Sequence, residues 1–242
     1  MRALEELVNV DVPAWPELQE AFNSAAVELE VLTGTEGGDG ASLLQLQVSA
    51  GSALGAMVLH CGGLVLDGGW LRIFGGRSSG PQTHLPSLAE VNQFPDIVDL
   101  AWRPTDGLVV GQDVLGGVFA LNGHDPVASG RPGAPGRMTY FAPDSLEWEA
   151  MDMGYGTWLT WTLSGRLAQF YEGLRWPGWQ GETADLSGAQ GITVYPFLWS
   201  KEAQEELAAT TRAPAPMSEI LTMSQDFCQQ MGLPAPGFLG VA

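Results

Sequence analysis

Gly76-Arg77-Ser78-Ser79-Gly80 fits G-x-S-x-G, the pattern that in hydrolases lifts a serine nucleophile onto a strained turn between a strand and a helix. A strand-like run precedes it. Pro81 and Pro86 prevent a helix from starting cleanly behind it, and no alternation of strands and helices surrounds it, so the stretch reads as a loop. The histidines, His60, His84 and His124, are isolated and show no H-E-x-x-H spacing. With two distant cysteines, Cys61 and Cys228, they do not compose a zinc site, and no metal or other cofactor is expected. His60 reads as a core or helix-end residue, and His84 and His124 as solvated loop residues. Asp144, Glu147, Glu149 and Asp152 form an acidic group without an interleaved base. Glu147 and Glu149 share one face of a strand and point away from Leu146 and Trp148. Paired carboxylates of this kind suit acid–base work, a metal, a partner-binding face or a solvated strand. Gly111-Gln112-Asp113-Val114-Leu115-Gly116-Gly117 lacks both the dinucleotide fingerprint and the phosphate-loop lysine. Turn chemistry explains it: Asp113 bonds nearby backbone and the glycines admit positive φ. Trp158, Trp161, Trp176, Trp179 and Trp199 suit core packing or an aromatic groove.

The elements that position these residues follow from periodicity. Leu108–Val110, Val118–Leu121, Met138–Phe141 and Leu146–Ala150 are short β-forming runs bounded by Gly, Pro, Asn or Asp, and predict four consecutive antiparallel strands. Gly123–Arg137, rich in Gly and Pro, is expected to be a long, mobile hairpin loop. Leu64–Leu66 and Trp70–Phe74 form a hairpin across Asp67-Gly68-Gly69. Ser52–His60 reads as a small-residue helix ended by Gly62-Gly63, and Ala41–Val48 as a strand or an approach to one. Leu18, Phe22, Ala25, Ala26 and Leu29 fall at helical spacing behind Pro16. Ser87 and Glu90 have capping-box spacing. Tyr155–Leu163 and Arg166–Leu174 predict a helical pair broken or kinked at Gly165. Ile192–Trp199 contains Pro196 and suits an edge strand or an extended cover. Lys201–Ala209 is a short helix, Ala213–Pro216 a linker, Met217–Met231 a final helix and Leu233–Ala242 a tail. The fold class is α+β: N-terminal helices, a central, mostly antiparallel or mixed sheet, and a helical pair on one face. Residues 1–210 form the domain and residues 211–242 an appended helical extension.

Composition narrows the function. The net charge is −18, from 28 acidic and 10 basic residues, so nucleic acid and anionic membrane surfaces are both disfavoured as partners. Apolar residues make up 45% of the chain, enough for a large core. The distant cysteines read as buried free thiols in a reducing compartment. With no signal-peptide pattern and no long apolar run, a cytoplasmic location is expected.

Several blocks look familiar: A-W-P-E-L at Ala14, the run from Gly55 through L-R-I-F-G, D-V-L-G-G-V-F-A-L-N-G at Asp113, Y-F-A-P-D-S-L-E-W-E at Tyr140, F-Y-E-G-L-R-W-P-G-W at Phe170 and P-F-L-W-S at Pro196. Together they resemble an uncharacterised bacterial family, DUF2625, over roughly Leu7 to Trp199. More remotely, the order of elements and glycines is similar to the SUKH superfamily. That resemblance implies an α+β fold with one mixed sheet and, in many members, toxin-neutralising immunity proteins or scaffolds for partner proteins.

The resulting expectation is a non-enzymatic binding module of immunity or adaptor type with no catalytic residues. Asp144, Glu147, Glu149 and Asp152 would occlude a basic protein surface, such as that of a toxin domain, with Trp148 or Trp70 as aromatic anchor. The alternative is a small-molecule binder or enzyme whose Trp-lined cleft carries Arg72, Arg77, Asp113 or Asn122.

Overall fold

The computed structural model describes residues 2–79, 85–104 and 106–241; His84 and Gly80 lie outside these. The chain builds an α+β architecture around a seven-stranded antiparallel meander in sequential order: β1 (Leu29–Thr33), β2 (Cys61–Leu66), β3 (Leu71–Phe74), β4 (Leu108–Asp113), β5 (Val118–Leu121), β6 (Met138–Ala142) and β7 (Glu147–Ala150). The four strands expected from Leu108 onward are present, as is the β2–β3 hairpin.

Cross-strand partners share a face of the sheet. One face carries Val65, Arg72, Gln112, Val118, Phe141 and Trp148; the other carries Leu64, Ile73, Asp113, Phe119 and Tyr140. Both faces are covered, which is why β4 and β6 are buried along their whole length. On the Tyr140 face lie α6 (Tyr155–Leu163) and α7 (Leu167–Phe170). Trp158 meets Phe119 at 5.3 Å between ring centroids, and Phe170 meets Tyr140 at 5.0 Å. Gly165, with φ +82°, breaks this pair as expected.

The Gln112 face is covered by the C-terminal part of the chain. Gln112 Nε2 donates to Leu239 O at 3.1 Å, and Trp148 Nε1 donates to Pro236 O at 2.9 Å. The helix expected over Met217–Met231, here α10, has those bounds. Met217, Ile220, Leu221, Ser224 and Cys228 form its buried stripe at helical spacing, and Gly232 ends it in the left-handed region. Met217, Ile220, Leu221 and Cys228, with Leu239, belong to the same buried core as the sheet.

Elsewhere the structure corrects the sequence reading. The helix behind Pro16, α2 (Trp15–Asn23), stops short of Leu29, which begins edge strand β1. Leu29 fits both the helical spacing and a strand's alternation with Val31, and pairing with Leu66 and Leu64 of β2 decides for the strand. Ala41–Val48 is not a strand: α3 (Gly40–Leu46) forms because Asp39 caps it, accepting from Ser42 N at 3.1 Å. Helix α4 (Ala53–His60) passes into β2 at Cys61, so Gly62 and Gly63 lie inside a strand. A side chain on Gly62 would stand 2.7 Å from Ser78 Cβ. Ala213–Pro216 is not a linker but part of β9 (Thr211–Pro216), paired with β8 (Gln190–Tyr195) in a separate two-stranded ribbon. The capping box at Ser87 is present on α5 (Leu88–Val91).

Candidate functional site

Asp113 is fully buried where β4 ends, and its carboxylate organises the middle of the molecule. Oδ1 accepts from Leu115 N and Gly117 N, both at 2.9 Å. Oδ2 accepts from the Tyr140 hydroxyl at 2.8 Å and the Tyr171 hydroxyl at 3.2 Å. Burial raises the Asp113 pKa, opposed by these four hydrogen bonds, while burial and the neighbouring carboxylate push both tyrosines well up. The turn chemistry read from the sequence is therefore what this carboxylate does. A Cβ on Gly117 would stand 2.1 Å from Asp113 Oδ2 and 2.4 Å from the Tyr140 hydroxyl, so only glycine fits beneath the hub. Asp113 ties loop, sheet and the segment after α7 together.

The four residues nominated for a ligand pocket are not brought together. Arg72 is buried on the opposite sheet face from Asp113 and donates from Nη1 to Gly188 O at 3.4 Å and to Gln190 O. Burial lowers its pKa to about 10. Asn122, at the end of β5, donates to Pro132 O at 2.8 Å and holds the 123–137 loop against the sheet. Arg77 is exposed and lines a different recess with Asp39, Glu90 and Asp96. Ser78 is tied into an isolated bridge with Gly34. His60 ends α4 and lies 5.2 Å from the Trp15 ring. Cys61 and Cys228 are buried and unpaired with one another. Among the described residues, no group of three or more His, Cys, Asp or Glu is arranged to hold a metal, and no helix is long and apolar enough to cross a membrane.

Of the residues nominated for a partner surface, Trp70 drops out, because a surface anchor must present its ring and Trp70 is fully buried. It packs edge-on to Trp179 at 5.0 Å, under Arg175, whose guanidinium also pairs with Asp67. The tryptophans divide in the same way. Trp158 and Trp176 are core residues, while Trp199 stacks on Phe197 at 4.9 Å beside Phe227.

The other nominees cluster. The β6–β7 turn carries Asp144, edge strand β7 carries exposed Glu147 and Glu149, and Asp152 follows, exposed. Glu149 has its pKa raised by partial burial first, then by Asp144 and Glu147, which places these carboxylates in electrostatic reach of one another. Trp148, half-buried, turns to the other face. Together with Glu147 it lines a groove of about 420 Å³, walled by Val127, Arg131, Pro132, Leu146 and Pro234–Pro236. Val127 is 82% exposed. Arg131 lies 4.0 Å above the Trp148 ring and donates to Phe238 O at 2.7 Å. Leu146 holds φ +59° while its side chain is buried, a conformation that costs a non-glycine residue energy. Val127, Arg131 and the Pro234–Pro236 wall were not legible as site residues. They come from a loop and a tail whose only sequence signal is Pro and Gly content.

The fold is thus that of an α+β protein with one antiparallel meander, and among its surface features is an acidic edge strand beside a largely apolar groove. Comparison with known proteins agrees with the first resemblance. The family model "Protein of unknown function DUF2625" matches residues 4–220, and the chain belongs to that family. It is 35% identical over 229 residues to the "Putative uncharacterized protein YbfG" of Escherichia coli strain K12, covering 92% of this chain and 95% of that protein. It is 32% identical over 200 residues to an uncharacterized protein of Haemophilus influenzae, covering 82% of this chain and 83% of the relative. No solved structure matches it.

Proposed function

We propose that this protein is a binding module that receives an extended, basic segment of a partner protein along β7. One observation carries the reading: Glu147 and Trp148, adjacent on an edge strand, line a groove with highly exposed Val127, and Glu147 and Asp144 stand in electrostatic reach of Glu149, on the strand's face opposite Trp148. An edge strand offers backbone groups to an incoming strand, and its alternating side chains supply specificity. Carboxylates on such an edge repel a second copy of a chain whose net charge is −18, and favour a basic partner. Trp148 supplies apolar area and Val127 extends it. The remote likeness of element order to the SUKH superfamily supports an immunity or adaptor role for this surface.

The test is affinity capture from the native bacterium with the wild-type chain and with Glu147→Lys/Glu149→Lys, at low and at high salt. A partner retained by the wild type, lost with the double variant and weakened by salt is the expected result. A set of partners identical for both chains refutes the reading.

A further inference from the structure

A second recess lies at the other end of the sheet, on the face opposite Asp113. It measures about 330 Å³ and is lined by Glu28, Glu30, Gly68, Gly69, Arg72 and Thr183, among others. Register explains the convergence. Glu30 pairs with Val65 and Val65 with Arg72, so an acidic and a basic residue lie in one transverse row with a valine between them. The Glu28 carboxylate reaches the same place: its Oε2 lies 3.9 Å from where a Cβ on Gly68 would stand. The walls are fixed. Thr183 Oγ1 donates to Gly68 O at 2.9 Å, Asp67 N donates to Glu28 O at 2.8 Å, and Nη1 of Arg72 is held by two backbone carbonyls.

Arg72 is only 3% exposed, none of the ion pairs among the described residues includes it, and Asp113, the carboxylate that acts on it electrostatically, lies on the other face of the sheet and makes no contact with it. A buried guanidinium without a contacting carboxylate attracts one strongly. A simple anion, however, must pass Glu28 and Glu30 and the field of a highly acidic protein, and a simple cation meets Arg72 inside. Only a ligand bearing both charges satisfies both ends. The volume is near the low end for ligand sites, which excludes nucleotides and large cofactors.

We infer that this recess binds a free α-amino acid, its carboxylate turned to Arg72 and its ammonium to Glu28. The inference is independent of the role of β7.

The full-length chain, labelled with nitrogen-15, is titrated with each common L-α-amino acid and with its amide and N-acetyl derivatives. The expected result is that at least one amino acid shifts the amide signals of Gly68, Gly69, Thr183 and Gly188 saturably and leaves those of Glu147 and Trp148 in place. Blocking either charged group of the ligand weakens binding about tenfold or more. Glu28→Gln, at an exposed position that leaves the core untouched, weakens the parent amino acid to a similar extent and no longer distinguishes it from its N-acetyl form. Arg72→Lys weakens it and reduces discrimination against the amide. Absence of any saturable shift in these signals up to about 10 mM ligand overturns the inference. So does equal binding of the blocked derivatives, or unchanged affinity in Glu28→Gln.

Discussion

Replacing Asp113 with alanine removes the acceptor of four buried hydrogen bonds at once: two from backbone N–H groups at 2.9 Å and two from tyrosine hydroxyls at 2.8 and 3.2 Å. A buried donor stripped of its partner costs about 1–3 kcal/mol. The tyrosine hydroxyls can rotate to seek other acceptors, whereas the Leu115 and Gly117 N–H groups cannot, so the sum is set near the lower bound, about 4–6 kcal/mol. Asparagine keeps an oxygen for the two N–H groups and offers its own N–H to the tyrosine oxygens. It also removes the burial penalty that raises the Asp113 pKa, so its cost is about 1–2 kcal/mol. Domains are stable by only about 5–15 kcal/mol, so the alanine variant retains a small part of its stability or none. Urea unfolding followed by the fluorescence of the nine tryptophans measures this. With a slope of about 2 kcal/mol/M, the alanine midpoint falls by about 2–3 M and the asparagine midpoint by less than about 1 M. An alanine variant within about 1 kcal/mol of the wild type shows that the hub does not hold the sheet to the segment after α7, and refutes the reasoning.

Other expectations follow from the same geometry. Gly117→Ala places a methyl group 2.1 Å from Asp113 Oδ2 and is expected to destabilise the protein by at least about 3 kcal/mol, read as a loss of soluble folded protein or a lowered urea midpoint. Trp148→Ala removes the hydrogen bond to Pro236 O and the platform under Arg131, so residues 233–241 should lose amide-exchange protection while α10 keeps its own. The pH dependence follows from two carboxyls whose pKa values are raised by folding: Asp113 by burial, and Glu149 by burial and then by Asp144 and Glu147. Such groups hold more protons folded than unfolded. Their destabilising effect is full above the folded pKa and is lost as the pH falls toward the unfolded value of about 4. Calorimetry should therefore show Tm rising as the pH is lowered from 7 toward about 5, and Asp113→Asn should reduce that rise. A Tm that falls throughout this window in both chains contradicts the assignment.

Much of the architecture was legible because local signals and tertiary packing agree there. The apolar stripe of α10, the Ser87–Glu90 capping box and the β-runs from Leu108 each carry their own start and stop. Where a short segment satisfies two periods, packing decides. Leu29–Thr33 becomes a strand because β2 lies beside it, and Gly40–Leu46 a helix because Asp39 caps it. β9 was hidden by Pro214 and Pro216, which break most strands but are tolerated in a ribbon of only two. The acidic alternation of β7 was readable from neighbours in sequence. Its groove was not, because Val127 and Pro234–Pro236 reach it from distant loops. Trp70 was misjudged for a related reason. A tryptophan beside a tight Gly-Gly turn looks exposed until Trp179 and Arg175 close over it.

The most direct test of the proposed binding surface is site-specific photocrosslinking in living cells, with a photoreactive amino acid at Val127 and, as control, at exposed Gln204 in α9 (Lys201–Glu205). A protein crosslinked from position 127, absent from position 204 and lost when Glu147 and Glu149 are changed to lysine is the predicted result. The same products from both positions, or a crosslink at 127 indifferent to charge reversal, would contradict a partner-binding role for this edge of the sheet.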